Sequence, residues 1–275
     1  MNRVKFGAHD ALEDWGIYLV SSPSLETPEV RTKFLESPGL NGAIDLTTAI
    51  RGYPVYKNRT GSLVFASADR WAKWNARRGE ILGYLHGQAH TLEFDDDPGW
   101  YWEGRFSVRR GDEMPRGATI TIDYNVGPFK WSVWITTEPW LWNPFSFVDG
   151  VIGNGTYVDS STTPPTVWQG SGLYSGIEVG STPVDLTFSS EEVTGSAPQQ
   201  VTFSASDAAI TVTVLQGTTT AATGTFAAGT SGTIPGLVLY RGAWLYQGWP
   251  ASVSASTGSG SDTGALALSF RRGVL

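Results

Sequence analysis

The sequence predicts a mainly β protein of two domains that carries one α-helix. Three observations lead there. Apolar and polar residues alternate in most structured stretches, a single segment repeats at helical spacing, and the composition changes near residue 145. The chain has 275 residues and a mass of 29.6 kDa, long enough for two domains of roughly 100–200 residues each. A domain of about 150 residues buries near 70% of its unfolded surface, so each half can hold its own core. Up to residue 145 there are 16 Lys/Arg against 18 Asp/Glu, and beyond it 3 against 8. The second part is therefore weakly charged and rich in Gly, Ser, Thr and Ala. We place the domains at 1–135 and 136–275.

In chain order, the helix comes first. Ser67 is placed to cap the run from Ser67 to Gly87, with Asp69 near the positive end of the dipole and Lys73 four residues on. Trp71, Trp74, Ile81, Leu82 and Leu85 fall on one side, and Gly87 is the expected stop. His90 to Phe94 reads as a strand. Trp102, Gly104, Phe106 and Val108 then alternate with Glu103, Arg105, Ser107 and Arg109, one face dry and one wet. Ile120, Ile122, Tyr124 and Val126 alternate with Thr119, Thr121, Asp123 and Asn125 in the same way. Residues 129–147, with Pro139 and Pro144 among aromatics, form the junction, and 150–182 reads as loops. Beyond it, Val184, Leu186 and Phe188 repeat the strand pattern, as do Ile210, Val212 and Val214 against Thr211 and Thr213. Leu237 to Tyr246 reads as a hairpin turned at Arg241-Gly242, and Leu266, Leu268 and Phe270 make a last strand. The turn spacing suits sandwiches or barrels.

Composition excludes several functions. A net charge of −7 and a pI near 5.0 argue against stable nucleic-acid binding, which needs a basic face to displace counterions. The absence of cysteine removes disulfides, thiolate catalysis and cysteine-ligated zinc. The first residues hold no apolar stretch of signal-peptide length, and no run reaches the ~18 apolar residues of a membrane span. We therefore expect a soluble protein without an export signal or a membrane span.

Few constellations offer chemistry. Asp95, Asp96 and Asp97 before Pro98-Gly99 have the oxygens a hard cation wants. They lack the spaced pattern of a cation loop, and Asp before Pro-Gly suits a turn. His86 and His90 lie four apart, which on a helix pairs two imidazoles for a metal, but Gly87 stops the helix between them. A glycosidase needs two carboxylates across a cleft, and nothing singles out Glu103 with the Asp95–Asp97 run over any other acidic pair. No nucleophile elbow, phosphate loop or dinucleotide fingerprint is present. We expect no enzyme, cofactor or metal. Trp131, Trp134, Trp140, Trp142, Trp168, Trp244 and Trp249 fall in the junction or second domain. Aromatic faces stack on sugar rings, although core packing suits most of these positions better. Trp244 and Trp249, near Gly248-Trp249-Pro250, are the expected exposed pair.

A series of short motifs runs through the first half: Trp15-Gly16-Ile17 with Leu19, Pro28-Glu29 with Arg31-Thr32, SPGLNGAIDLT at 37–47, and Tyr56-x-Asn58-Arg59. Leu85-His86-Gly87, FDDDPGWYWEGR at 94–105 and Pro128-Phe129-Lys130 follow. In order and spacing over residues 4–131 this series resembles the distal tail (Dit) family of long non-contractile phage tails. Trp102 stands where that family has a second tyrosine. The resemblance implies a β-sandwich with one helix and a long hairpin, forming a homo-hexameric ring. Such a ring joins the tail tube protein to tail-tip proteins and often carries receptor-binding proteins. The place implied is the tip of a virion tail, assembled in the host bacterium's cytoplasm. Assembly or structural roles would then fall to Pro38, Gly39, Gly42, Asp45, Asn58, Arg59, Asp96, Asp97, Pro98, Gly104 and Arg105.

Beyond residue 150 the resemblance offers no motif. Family members often carry a galectin-like or carbohydrate-module-like sandwich there, so a second β-sandwich is expected. It shows no sugar-binding motif, and the alternative reading is a carbohydrate-binding adhesin module that contacts the host cell wall through this sandwich, with Trp244 and Trp249 as the candidate contacts to host carbohydrate. Arg271 and Arg272 end a half almost free of basic residues. From this we expect the last strand, 266–275, to return to the first domain.

Overall fold

The computed structural model describes residues 3–38, 41–67, 71–114, 117–133, 135, 156–159, 166–169, 174–188, 195–258 and 263–275. The chain is mainly β, and it divides into two compact units, residues 1–31 with 55–133 and residues 32–54 with 134–275. Residues 32–54, inside the first domain by the sequence reading, thus group with the second unit.

In chain order come β1 (Val4–Phe6), β2 (His9–Asp10), β3 (Ile17–Leu19), β4 (Phe34–Glu36), β5 (Ala43–Asp45) and β6 (Arg59–Ser67). Helix α1 (Trp71–Leu85) follows, then β7 (Ala89–Phe94), β8 (Trp100–Met114), β9 (Gly117–Val126) and β10 (Lys130–Ser132). The first unit is built on one antiparallel sheet in the order β2-β1-β7-β8-β9-β6-β3, with β10 on β8. β8 and β9 make the long hairpin. Trp102, Phe106 and Val108 face inward from β8, and Ile120, Ile122, Tyr124 and Val126 from β9. Glu103, Arg105, Ser107 and Arg109 stay exposed, as alternation requires. On that wet face the Arg109 guanidinium meets the Asp123 carboxylate at 2.6 Å, a diagonal pair between neighbouring strands.

The sheet folds back on itself. Phe6 of β1 touches Phe65 of β6 with ring centroids 5.9 Å apart, although β7, β8 and β9 lie between these strands. Two facing layers result, and Trp74, Ile81 and Leu85 of α1 join their core. Each such side chain adds about 1.5–3 kcal/mol of burial. The helix stops where expected: Gly87 takes φ +74 and its N–H donates to the Phe106 carbonyl. Ser67 is the last residue of β6, opposite Ile17 and Ala118, and the three residues between it and the helix lie outside the described residues. Asp69 and the side chain of Trp71 lie outside the described residues.

In the second unit β4 and β5 pair as a short arm. Later come β11 (Thr156–Asp159), β12 (Thr166–Gln169), β13 (Tyr174–Val179), β14 (Val184–Asp185), β15 (Thr202–Ala205), β16 (Ile210–Gln216) and β17 (Thr219–Phe226). The rest are β18 (Ser231–Gly232), β19 (Leu237–Tyr240), β20 (Ala243–Tyr246), β21 (Trp249–Thr257), β22 (Gly264–Ser269) and β23 (Gly273–Val274). The stretch 150–182, read as loops, therefore carries three strands among its described residues. Thr, Val and Tyr within it suit a pleated surface despite the Gly and Pro around them.

One sheet runs β13-β22-β15-β18 and the other β17-β16-β21-β20-β19, with β14 on β21. They pack as a sandwich around Phe203, which stacks on Phe226 and Trp244 of the opposite sheet at 5.7 and 6.1 Å. Ile210, Val212 and Val214 are fully inside. The expected hairpin turns at Arg241-Gly242 with φ of 50 and 79, the left-handed pair that a two-residue turn needs.

Candidate functional site

The motif residues of the first half gather at one end of the first sheet. Arg59 opens β6 opposite Val126, with its side chain directed inward. Its Nε donates to the Pro128 carbonyl at 2.9 Å and its Nη1 to the Glu26 carbonyl at 3.1 Å. Burial lowers the guanidinium's pKa from its ordinary value, with Tyr124 opposing the shift. The Tyr124 hydroxyl accepts the Glu26 N–H at 3.0 Å, so two side chains of adjacent strands fasten the same loop. Asn58 donates to the Asn125 side-chain carbonyl at 2.8 Å, and Tyr56 meets Phe129 edge to face at 5.6 Å. Lys130 pairs with Asp97 and lies 5.3 and 5.9 Å from the ring centres of Trp100 and Trp102.

Segments 56–59, 96–105 and 128–130, read separately in the sequence, are therefore one interlocked cluster within the unit. Charge-assisted hydrogen bonds of this kind are worth about 1.5–3 kcal/mol each. Such positions hold the sheet end in shape. Gly104 belongs with them: a β-carbon there would overlap the Asn125 carbonyl and the Val126 backbone. Arg105 donates to the Gly87 carbonyl at 2.9 Å and pins the end of α1.

The acidic run is a turn. The Asp97 N–H donates to Phe94 O at 3.2 Å, Gly99 takes φ +88, and Asp96 and Pro98 are exposed. The two histidines are engaged by the backbone and do not face one metal. Nδ1 of His86 accepts the Val108 N–H at 3.1 Å, whereas Nε2 of His90 donates to the Tyr84 carbonyl at 2.8 Å. Beside the cluster, an open hollow of about 500 Å³ is walled by polar groups including Glu26, Arg31, Asn58 and Thr60. Lys57 and Glu29 pair across part of it at 2.9 Å.

The remaining first-half candidates sit on the β4–β5 arm. Pro38 and Gly42 belong to its connection, Gly42 at φ +88, while Gly39 lies outside the described residues. Asp45 ends β5, and its carboxylate accepts the Thr47 N–H at 2.8 Å. The Thr47 hydroxyl and then its N–H hold that carboxyl below the usual range. Sequence reading missed what the arm displays. All six residues of β4 and β5 are exposed, including Phe34, Leu35 and Ile44, and Leu46 just beyond is exposed too. The arm's far end is held on its own unit. Gly52, at φ +75, lies against the Gly248 backbone so closely that a β-carbon would overlap it, and Tyr53 packs on Tyr240 at 5.2 Å.

The expected aromatic pair separates. Trp244 is 5% exposed, stacks on Phe203, meets Phe188 at a tilt, and donates Nε1–H to the Leu186 carbonyl at 2.6 Å. It is a core residue and offers no face to a sugar, because its place in β20 turns it inward. Trp249, at the start of β21, is 67% exposed. Trp134, Trp140 and Trp142 lie outside the described residues, as does the side chain of Trp168.

No protein-family model matches the chain, and no curated protein matches it. Among solved structures, the chain is similar to the SPP1 Dit (gp 19.1) protein, presented as a paradigm of the hub adsorption apparatus in phages infecting Gram-positive bacteria. The likeness covers 100% of both chains with a TM-score of 0.56 at 10% sequence identity. At that identity the fold is what the two share.

Proposed function

We propose that this chain is a structural protein of a phage tail, a hub that assembles as a hexameric ring between tail tube and tail tip and supports the host-adhesion components there. The observation that carries this reading is the β4–β5 arm. A free protomer gains nothing by holding Phe34, Leu35, Ile44 and Leu46 in water, whereas a neighbouring copy would bury them. The fold likeness to a hub adsorption protein supports the same conclusion. The residues to which the resemblance assigns assembly roles fit it in two ways. Those around Arg59 stiffen the protomer, and Asp45 and Gly42 shape the arm that reaches its neighbour. The role is that of a scaffold and not of an enzyme, located in the virion tail tip.

The test is the mass of the purified chain by light scattering, with negative-stain imaging. Rings of six protomers are expected, and a strict monomer at high concentration would overturn the reading. A second activity, adhesion to host carbohydrate, rests on Trp249 alone. Trp249→Ala should abolish retention on immobilised cell-wall glycan without moving the melting temperature. Equal retention of variant and parent would dismiss the adhesin reading.

A further inference from the structure

The second sandwich leaves one long strand edge open among the described residues. β17 pairs with β16 from Ile210↔Phe226 to Gln216↔Thr219, and with no other strand. The far end of the same sheet is treated differently. There the backbone of Gln199 closes on β19, donating its N–H to Leu239 O at 2.9 Å and accepting the Leu239 N–H at 2.8 Å. An open edge is a row of backbone donors and acceptors ready for another strand, and proteins usually blunt it with charge, proline or a bulge. β17 is 8 residues long and reads Thr-Thr-Ala-Ala-Thr-Gly-Thr-Phe. No charged residue occurs anywhere from Ala208 to Tyr240. The register irregularity at Val214/Leu215 affects only the strand's beginning, leaving Ala222 to Phe226 in regular pairing.

The outward side chains extend the pattern. Thr223 and Thr225 are exposed, in line with Thr213 and Ser254 and with Thr211 and Ser256 on the next two strands. The Thr211 and Thr225 hydroxyls are 3.2 Å apart. The outer face is thus a ladder of hydroxyls that ends abruptly at β17.

We propose that β17 is a pairing edge for a second copy of this chain, two β17 strands meeting antiparallel about a two-fold axis so that two sandwiches share one continuous sheet. Charge selects this occupant. Each chain carries a net −7, so copies repel over much of their surface, whereas this segment brings no like charges together. Pairing about Gly224 sets Thr223 of one copy opposite Thr225 of the other, continuing the ladder with a favourable cross-strand pair. Such a contact is isologous, the same patch on both copies. It goes beyond the ring reading and does not depend on it.

The test uses the full chain in sedimentation velocity and light scattering across a concentration series. The Thr223→Lys/Thr225→Lys variant is expected to have half the plateau mass of the parent, because lysines then face each other across the axis. Ser252→Lys puts a charge on the same face of β21, away from the edge, and should leave the mass unchanged. Mixing the double-lysine chain with Thr223→Glu/Thr225→Glu should restore the twofold mass, an outcome that misfolding of either variant could not produce. Equal masses for parent and double-lysine chain would overturn the proposal, as would an equal loss in Ser252→Lys. The mass ratio reports on this edge whether the basal unit is a ring or a single protomer, so the two readings fail separately.

Discussion

Replacing Phe34 and Ile44 together by serine is expected to abolish ring assembly and leave a folded protomer. Both side chains are exposed on the arm, Phe34 by 55% and Ile44 by 44%, so the free protomer loses almost no packing when they go. Surface changes of this sort usually alter stability by no more than about 0.5 kcal/mol. In the proposed ring the exposed part of these side chains would be covered, about half of the roughly 1.5–3 kcal/mol that full burial of each contributes. Removing two of them from every contact weakens each by a factor on the order of 10–10², and a closed ring repeats the loss at each interface. Light scattering and negative-stain imaging of the variant should therefore show protomers where the parent shows rings, with the thermal melt unchanged. Rings of normal size and abundance from the variant would remove the arm from the assembly mechanism.

How much of this was legible beforehand follows from what local pattern can encode. The two strands of the β8–β9 hairpin were readable because period-2 alternation is a property of each strand alone, and Trp102 to Val108 and Ile120 to Val126 face inward as their spacing requires; their pairing was implied by the motif resemblance. The stop of α1 at Gly87 was readable for the same reason, since a left-handed φ there favours glycine. The clustering of Arg59, Pro128, Lys130 and Asp97 was not, because it depends on how distant segments close the sheet end. Motif order pointed to these residues, and the contacts give them a meaning inside the protomer that motif order could not supply.

The arm escaped for a complementary reason. Phe34, Leu35 and Ile44 are the residue types of a core, and only the fold reveals that they face water. β22 is flanked on both sides, by β13 and β15, inside its own sheet. Deleting 266–275 would remove most of a central strand and test the folding of the second sandwich before anything else.

Trp244→Ala is expected to destabilise the second sandwich by about 3–5 kcal/mol, the usual cost of emptying a large aromatic from a packed interior. Three losses combine there. The indole leaves a cavity between the sheets, where it now stacks on Phe203 at 6.1 Å and packs at a tilt on Phe188 at 5.4 Å. The Leu186 carbonyl loses the donor that reaches it at 2.6 Å, and an unsatisfied buried acceptor costs about 1–3 kcal/mol in its own right. Phe203, which packs on both Trp244 and Phe226, loses half of its stacking support. A chemical-denaturation curve for the second unit's transition should shift to markedly lower denaturant, whereas Trp249→Ala, at an exposed site, should leave it in place. This contrast decides how any glycan experiment is read. A binding loss in the Trp244 variant reports a damaged sandwich, whereas a loss confined to Trp249→Ala reports a surface that touches sugar. Full retention of stability in Trp244→Ala would mean that the indole is not the packing element its contacts describe.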